Sequence, residues 1–118
     1  MSLTWEQVVI DSRDPHSLAQ WWAQALGWAI TFEDESEIEI RPNENVTPGL
    51  LFLHVSDDRV TKNRLHLDFR PTDQAAEVER FLNLGATRVD IGQGEDVSWV
   101  VLADPEGNEF CVLRALST

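Results

Sequence analysis

One pattern recurs at a fixed interval and limits the folds open to this 118-residue chain. Asp14 and Asp73 lie 59 residues apart, Leu26-Gly27 and Leu84-Gly85 lie 58 apart, and so do Gly49 and Gly107. Each interval carries the same series of signals. An alternating apolar stretch (5–10, then 64–70) leads to a helix N-cap, Asp14 with Pro15 behind it, then Thr72 or Asp73. A stripe of helical spacing follows: Leu18, Trp22, Ala25 and Leu26 in the first interval, Ala75, Val78, Phe81 and Leu82 in the second. Three further strands complete each interval, at 28–32, 37–41 and 50–55, then at 87–91, 99–103 and 109–113. Two copies of a βαβββ unit therefore fill the chain. The expected fold class is α+β, in one domain over 1–118, with module one at about 4–56, a polar linker at 57–63 and module two at about 64–114.

The stretch from Arg64 to Arg70 alternates without a fault. Leu65, Leu67 and Phe69 fall on one face of an extended strand; Arg64, His66, Asp68 and Arg70 fall on the other. An imidazole and a carboxylate two residues apart are thus offered side by side. Each module buries one sheet face under its own helix, so the opposite faces are expected to meet around a shared hollow. By alternation and by the repeat, Gln7 matches His66, Leu53 matches Cys111, and Glu39 belongs with Trp99 and Val101 on those open faces. His16, in the first helical turn with nothing adjacent to fix it, reads as a surface residue.

Composition narrows the partners. With 21 Asp and Glu against 9 Lys and Arg the net charge is -12, which disfavours nucleic acid and anionic membrane. The apolar runs are far too short to span a bilayer. A single cysteine, Cys111, and the lack of a charged-then-apolar leader point to a cytoplasmic protein. Five tryptophans and no tyrosine exceed what one small core needs, so one or two are expected at a pocket or interface. Trp99 beside Glu39 and Asp68 would suit an aromatic or cationic ligand.

The segments Asp14-Pro15, Leu26-Gly27-Trp28, Asn63-Arg64-Leu65-His66-Leu67-Asp68, Leu84-Gly85-Ala86-Thr87 and Asp104-Pro105-Glu106-Gly107-Asn108-Glu109-Phe110-Cys111 together resemble a glyoxalase-like domain. That domain belongs to the vicinal oxygen chelate superfamily of glyoxalase I, bleomycin-resistance proteins and extradiol dioxygenases. The resemblance covers essentially the whole chain. It implies two modules paired into a concave, half-barrel-like sheet with helices outside, and a homodimer, for which Trp21 is a candidate contact. It also implies four metal-ligand positions, which fall here on Gln7, Leu53, His66 and Cys111. Leucine cannot bind a metal, and cysteine replaces a hard carboxylate with a soft ligand. No tightly bound ion is expected, and at most a weak divalent site at His66 and Gln7; Glu39, Asp68 or Glu109 are the residues that would repair it. The functional expectation is a lyase- or isomerase-type enzyme on an oxygenated small molecule, with His66 and Asp68 catalytic and Trp99, Glu39, Val101 and Cys111 contacting substrate. The alternative is a metal-free protein that sequesters a cationic or aromatic small molecule.

Overall fold

The computed structural model describes residues 2, 4–56, 65–89 and 98–116. Its contacts divide the chain into two compact units, Met1–Asp58 and Arg59–Thr118.

The first unit runs β1 (Gln7–Ser12), α1 (Pro15–Leu26), β2 (Ala29–Glu33), β3 (Glu37–Arg41) and β4 (Gly49–His54). The Asp14 carboxylate accepts the Ser17 amide at 3.3 Å, which supplies the N-cap, and Pro15 follows where a missing N–H costs nothing. Gly27 ends the helix in the left-handed region, with the Trp28 amide on the Ala23 carbonyl at 2.9 Å. The strands order as β1-β4-β3-β2, with β1 parallel to β4 and the other pairs antiparallel. Period two then decides the core: Ile38, Ile40, Leu50 and Phe52 are buried on one face, and α1 packs on β3 and β4 with Leu18, Ala19, Trp22 and Ala25 buried. Trp21 is half-buried, its ring edge-on to Trp22 at 4.9 Å between centroids.

The second unit repeats the plan: β5 (Leu67–Phe69), α2 (Gln74–Asn83), β6 (Thr87–Arg88), β7 (Val100–Ala103) and β8 (Glu109–Val112), ordered β5-β8-β7-β6. Of the two candidate caps it is Asp73 that accepts the Ala76 amide, at 3.1 Å. Phe69, Phe81 and Phe110 form the aromatic centre, with centroids 4.9 to 6.4 Å apart, within the range where tilted and edge-on rings attract. Burying Phe110 to 1% exposure contributes about 1.5–3 kcal/mol. The Gln74 amide donates to the Ser98 and Val112 carbonyls at 2.8 and 3.1 Å, tying the start of α2 to the end of β8.

The turn between β7 and β8 explains its own sequence. Asp104 is 4% exposed, and its carboxylate accepts the Glu106 and Asn108 amides at 3.0 and 2.9 Å and the Asn108 side chain at 3.0 Å. Its carbonyl accepts the Gly107 amide at 2.9 Å, and Gly107 sits at φ 86°, where a side chain would be strained.

Several expectations change. The strand at 64–70 begins only at Leu67, where β8 first offers a partner in Phe110; Leu65 lies ahead of it and is 83% exposed, not in the core. Trp5 likewise precedes β1 and is 67% exposed. On α2, Val78 and Phe81 are buried, but Ala75 is exposed and Leu82 half-buried, lining a shallow groove with Arg88 and Val100. His16 is no bare surface residue: its Nε2 lies 2.8 Å from the Asp34 carbonyl and 3.6 Å from Glu33. The turn after β2 folds back to α1, a contact that no local pattern announces. The linker at 57–63, Arg64, and the turn through Gly92 and Gly94 lie outside the described residues.

Candidate functional site

In the second sheet, β8 lies between β5 and β7, with Cys111 opposite Asp68 on one side and Val101 on the other. Residues directly opposite in a sheet share a face, with strands about 4.8 Å apart. Phe69 and Phe110 take the aromatic face, so Asp68 and Cys111 take the other. His66, two residues before Asp68, turns the same way, and its Nε2 lies 3.1 Å from Asp68 Oδ1. The donor atoms of His66, Asp68 and Cys111 all fall within 4.8 Å of one another. The histidine and aspartate side chains are 51% and 48% exposed, while Cys111 is 7% exposed and Val101 5%. A half-exposed imidazole–carboxylate pair therefore lies beside a buried thiol. Trp99 precedes β7, two residues ahead of Val101, and is 37% exposed. The Asp104 turn sets the β7–β8 register that places Cys111 opposite Val101. Arg70 donates to the Arg114 carbonyl at 2.6 Å.

The open face of the first sheet is used differently. Glu39 and Arg41 share it by alternation, and Arg41 is buried to 6% exposure. The Arg41 guanidinium donates to Glu39 at 2.8 Å, to the Glu6 carboxylate and to the Val46 carbonyl. Thr31 adds its hydroxyl to Glu39 at 2.9 Å. The hydrogen bond from Arg41 holds the Glu39 carboxyl below its ordinary pKa, against the opposing effect of burial, and Thr31 adds to the lowering. The same two carboxylates raise the pKa of Arg41. Glu39, expected to pair with a cationic ligand, thus already has a cation. Alternation puts Arg41 on the face of Glu37 and Glu39, but nothing in the pattern marks it as a centre, and Glu6, outside any strand, carried no signal.

Of the four positions that the resemblance implies, Gln7 and Leu53 lie in the first sheet. Gln7 pairs with Gly49, and Leu53 pairs with Asp11 on one side and Glu37 on the other. Gln7 and Leu53 are therefore four residues apart along the first sheet, roughly 13 Å at 3.3 Å per residue. The match of Gln7 with His66 holds when counted from the helix caps and fails when counted across the sheet. There β1 meets β4 at a separation of 42 residues and β5 meets β8 at 43. Taking Leu53 with Cys111, the residue that corresponds to Asp68 is Asp11, and the one that corresponds to His66 is Val9. The His66–Asp68–Cys111 group is the one cluster of three such donors among the described residues.

A family model for the glyoxalase-like domain matches residues 7–113. No curated protein sequence matches the chain. Among solved structures, a glyoxalase/bleomycin resistance protein/dioxygenase family enzyme from Burkholderia phytofirmans PsJN superposes with a TM-score of 0.72 at 18% identity, covering 97% of this chain and all of that one. Glyoxalase I of Leishmania major, a trypanothione-dependent enzyme, gives 0.71 at 12% identity, with 96% and 87% covered. The bleomycin-binding protein of Streptomyces verticillus, solved with copper(II)-bleomycin, gives 0.65 at 16% identity, with 98% and 99% covered. Two βαβββ units, their capping aspartates and a family match over residues 7–113 place the chain in the glyoxalase-like domain family.

Proposed function

We propose that this protein acts on an oxygenated small molecule at the open face of its second sheet. His66 accepts a proton from carbon next to a carbonyl, and Asp68 orients the imidazole and balances its charge. The observation that carries this reading is the 3.1 Å contact between two half-exposed groups, which leaves the pair open to a ligand. Val101 and Cys111 form the floor, and Trp99 is the aromatic surface against which a planar ligand would stack. Homodimer assembly through half-buried Trp21, checked by light scattering, belongs to the same reading.

The test is proton exchange in D2O, followed by proton NMR over a panel of hydroxyketones, ketoaldehydes and keto acids. Acceleration by the wild-type chain that falls by ~10²–10⁴ in His66→Ala, and by less in Asp68→Asn, supports the reading. Exchange that survives His66→Ala refutes it. A second reading, a binding protein without turnover, is favoured by one observation: Leu53 breaks the ligand set that metal-using relatives require. It is supported if aromatic cations change tryptophan emission, lose that effect in Trp99→Ala, and no substrate exchanges.

A further inference from the structure

The two helices cover their sheets unequally. α1 packs on β3 and β4 and buries Pro15, Leu18, Ala19, Trp22 and Ala25, whereas α2 lies chiefly over β8 and buries only Val78 and Phe81. The helix face of the second sheet is therefore left open toward β6 and β7. Register puts Val100 on that face, opposite Val112, and Arg88 with it, opposite Leu102 and so in line with Phe110. Between these residues and the stripe of Ala75, Val78, Glu79 and Leu82 on α2 runs a groove of about 460 Å³, inside the ~300–1,000 Å³ range of small-molecule sites. It lies on the face of the sheet opposite to that of Asp68 and Cys111.

Gln74 fixes one wall, its amide held by the Ser98 and Val112 carbonyls. Val78, Leu82 and Val100 supply apolar surface, and two opposite charges, Arg88 and Glu79, border it, both exposed. Among the described residues neither has an ion pair, although nearby on the same helix Glu77 is bound to Arg80 at 2.8 Å. We propose that this groove binds a zwitterion with an apolar body, an aliphatic or aromatic amino acid or dipeptide, with its carboxylate on Arg88 and its ammonium on Glu79. The guanidinium fork fits a carboxylate through two parallel hydrogen bonds, and the Glu79 carboxylate accepts from an ammonium. Charge selects against the alternatives. A simple anion meets Glu79 and the repulsion of a chain of net charge -12, and a simple cation meets Arg88. A zwitterion satisfies both groups and, being neutral overall, meets no long-range barrier.

The experiment titrates the whole chain with tryptophan and with leucyl-leucine, followed by calorimetry and amide NMR. The same compounds with the amine acetylated, or with the carboxylate converted to an amide, are the controls. It reads binding without turnover on the helix face, so its failure leaves the proton-transfer reading standing, and the reverse holds too. Expected are one site per chain and shifted amides at Val78, Leu82, Arg88 and Val100. Blocking either end of the ligand, Arg88→Gln and Glu79→Gln should each weaken binding by about tenfold or more, the scale of a hydrogen bond to a charged group. Both side chains are exposed, so neither variant should disturb folding, which an unchanged circular dichroism spectrum checks. Absence of binding at millimolar ligand, acetylated forms bound as tightly as the free ones, or binding indifferent to Arg88→Gln overturns the proposal.

Discussion

Replacing Gly49 by alanine tests whether the buried Arg41 cluster is as tightly seated as it looks. A Cβ at Gly49 would lie 2.8 Å from Arg41 Cγ, 3.1 Å from Arg41 Nε and 3.0 Å from the Ile40 carbonyl oxygen. The first two contacts are relieved only if the Arg41 stem moves by most of an ångström, and that stem aims the guanidinium at Glu39, 2.8 Å away. The third is backbone of β3 and cannot swing aside. Overpacking of this kind costs about 1–3 kcal/mol. The smaller conformational entropy of the unfolded alanine chain returns about 0.4–1 kcal/mol. A net loss of about 1–2 kcal/mol is expected, which for a chain of this size lowers Tm by roughly 3–10 °C. Urea unfolding followed by circular dichroism measures it. In an Arg41→Ala background most of the clash is gone, so the cost should shrink by at least about 0.5 kcal/mol, the scale of coupling between touching residues. Gly49→Ala with unchanged stability, or with the same cost in both backgrounds, would refute the reasoning.

Two further outcomes follow from the same contacts. Because the folded pKa of Glu39 is depressed, its ion pair stabilises fully above the unfolded value near 4.5 and is lost as pH falls through the folded value; unfolding free energy should drop with acid below pH 4.5, and less steeply in Glu39→Gln. Asp104→Ala strips the partners from buried turn amides, at about 1–3 kcal/mol for each group left unsatisfied; it should lower urea stability and, by loosening the β7–β8 hairpin, speed reaction of Cys111 with a thiol reagent.

Local rules were legible wherever one residue's chemistry settles the matter. Asp14, Asp73 and Gly27 mark helix ends because only such residues satisfy a terminus, and β3 falls at Glu37–Arg41 because the alternation there is strict. Register is another matter. Alternation tells which face a side chain takes, but not which residue of the neighbouring strand it meets. Hence the face of Asp68 was legible, while its pairing with Cys111 was not. Leu65 failed for a simpler reason. An alternating pattern runs on past the point where a strand has a partner, and hydrogen bonds, not pattern, end the strand. Arg41 was missed as a centre because its length lets it reach Glu6, which belongs to no strand.

The net charge of -12 suggested an acidic site that would attract cations. The structure assigns several of those acids to other work. Asp14 and Asp73 cap helices, Asp34 accepts the Ser36 and Glu37 amides, Asp104 organises a turn, and Glu6 and Glu39 close on Arg41. A carboxylate turned onto backbone amides or a guanidinium offers little to a ligand, since its strongest interactions are already made. Beside His66 the acid that remains half exposed is Asp68, and its nearest partner is that imidazole. Among the described residues, any preference for cations at this face therefore rests on the Asp68 charge and on the general field of a chain of net charge -12. The general field is screened within ~10 Å at 0.1 M salt and ~3 Å at 1 M, so raising salt should reduce the preference. Stacking on Trp99 has no such dependence and should persist.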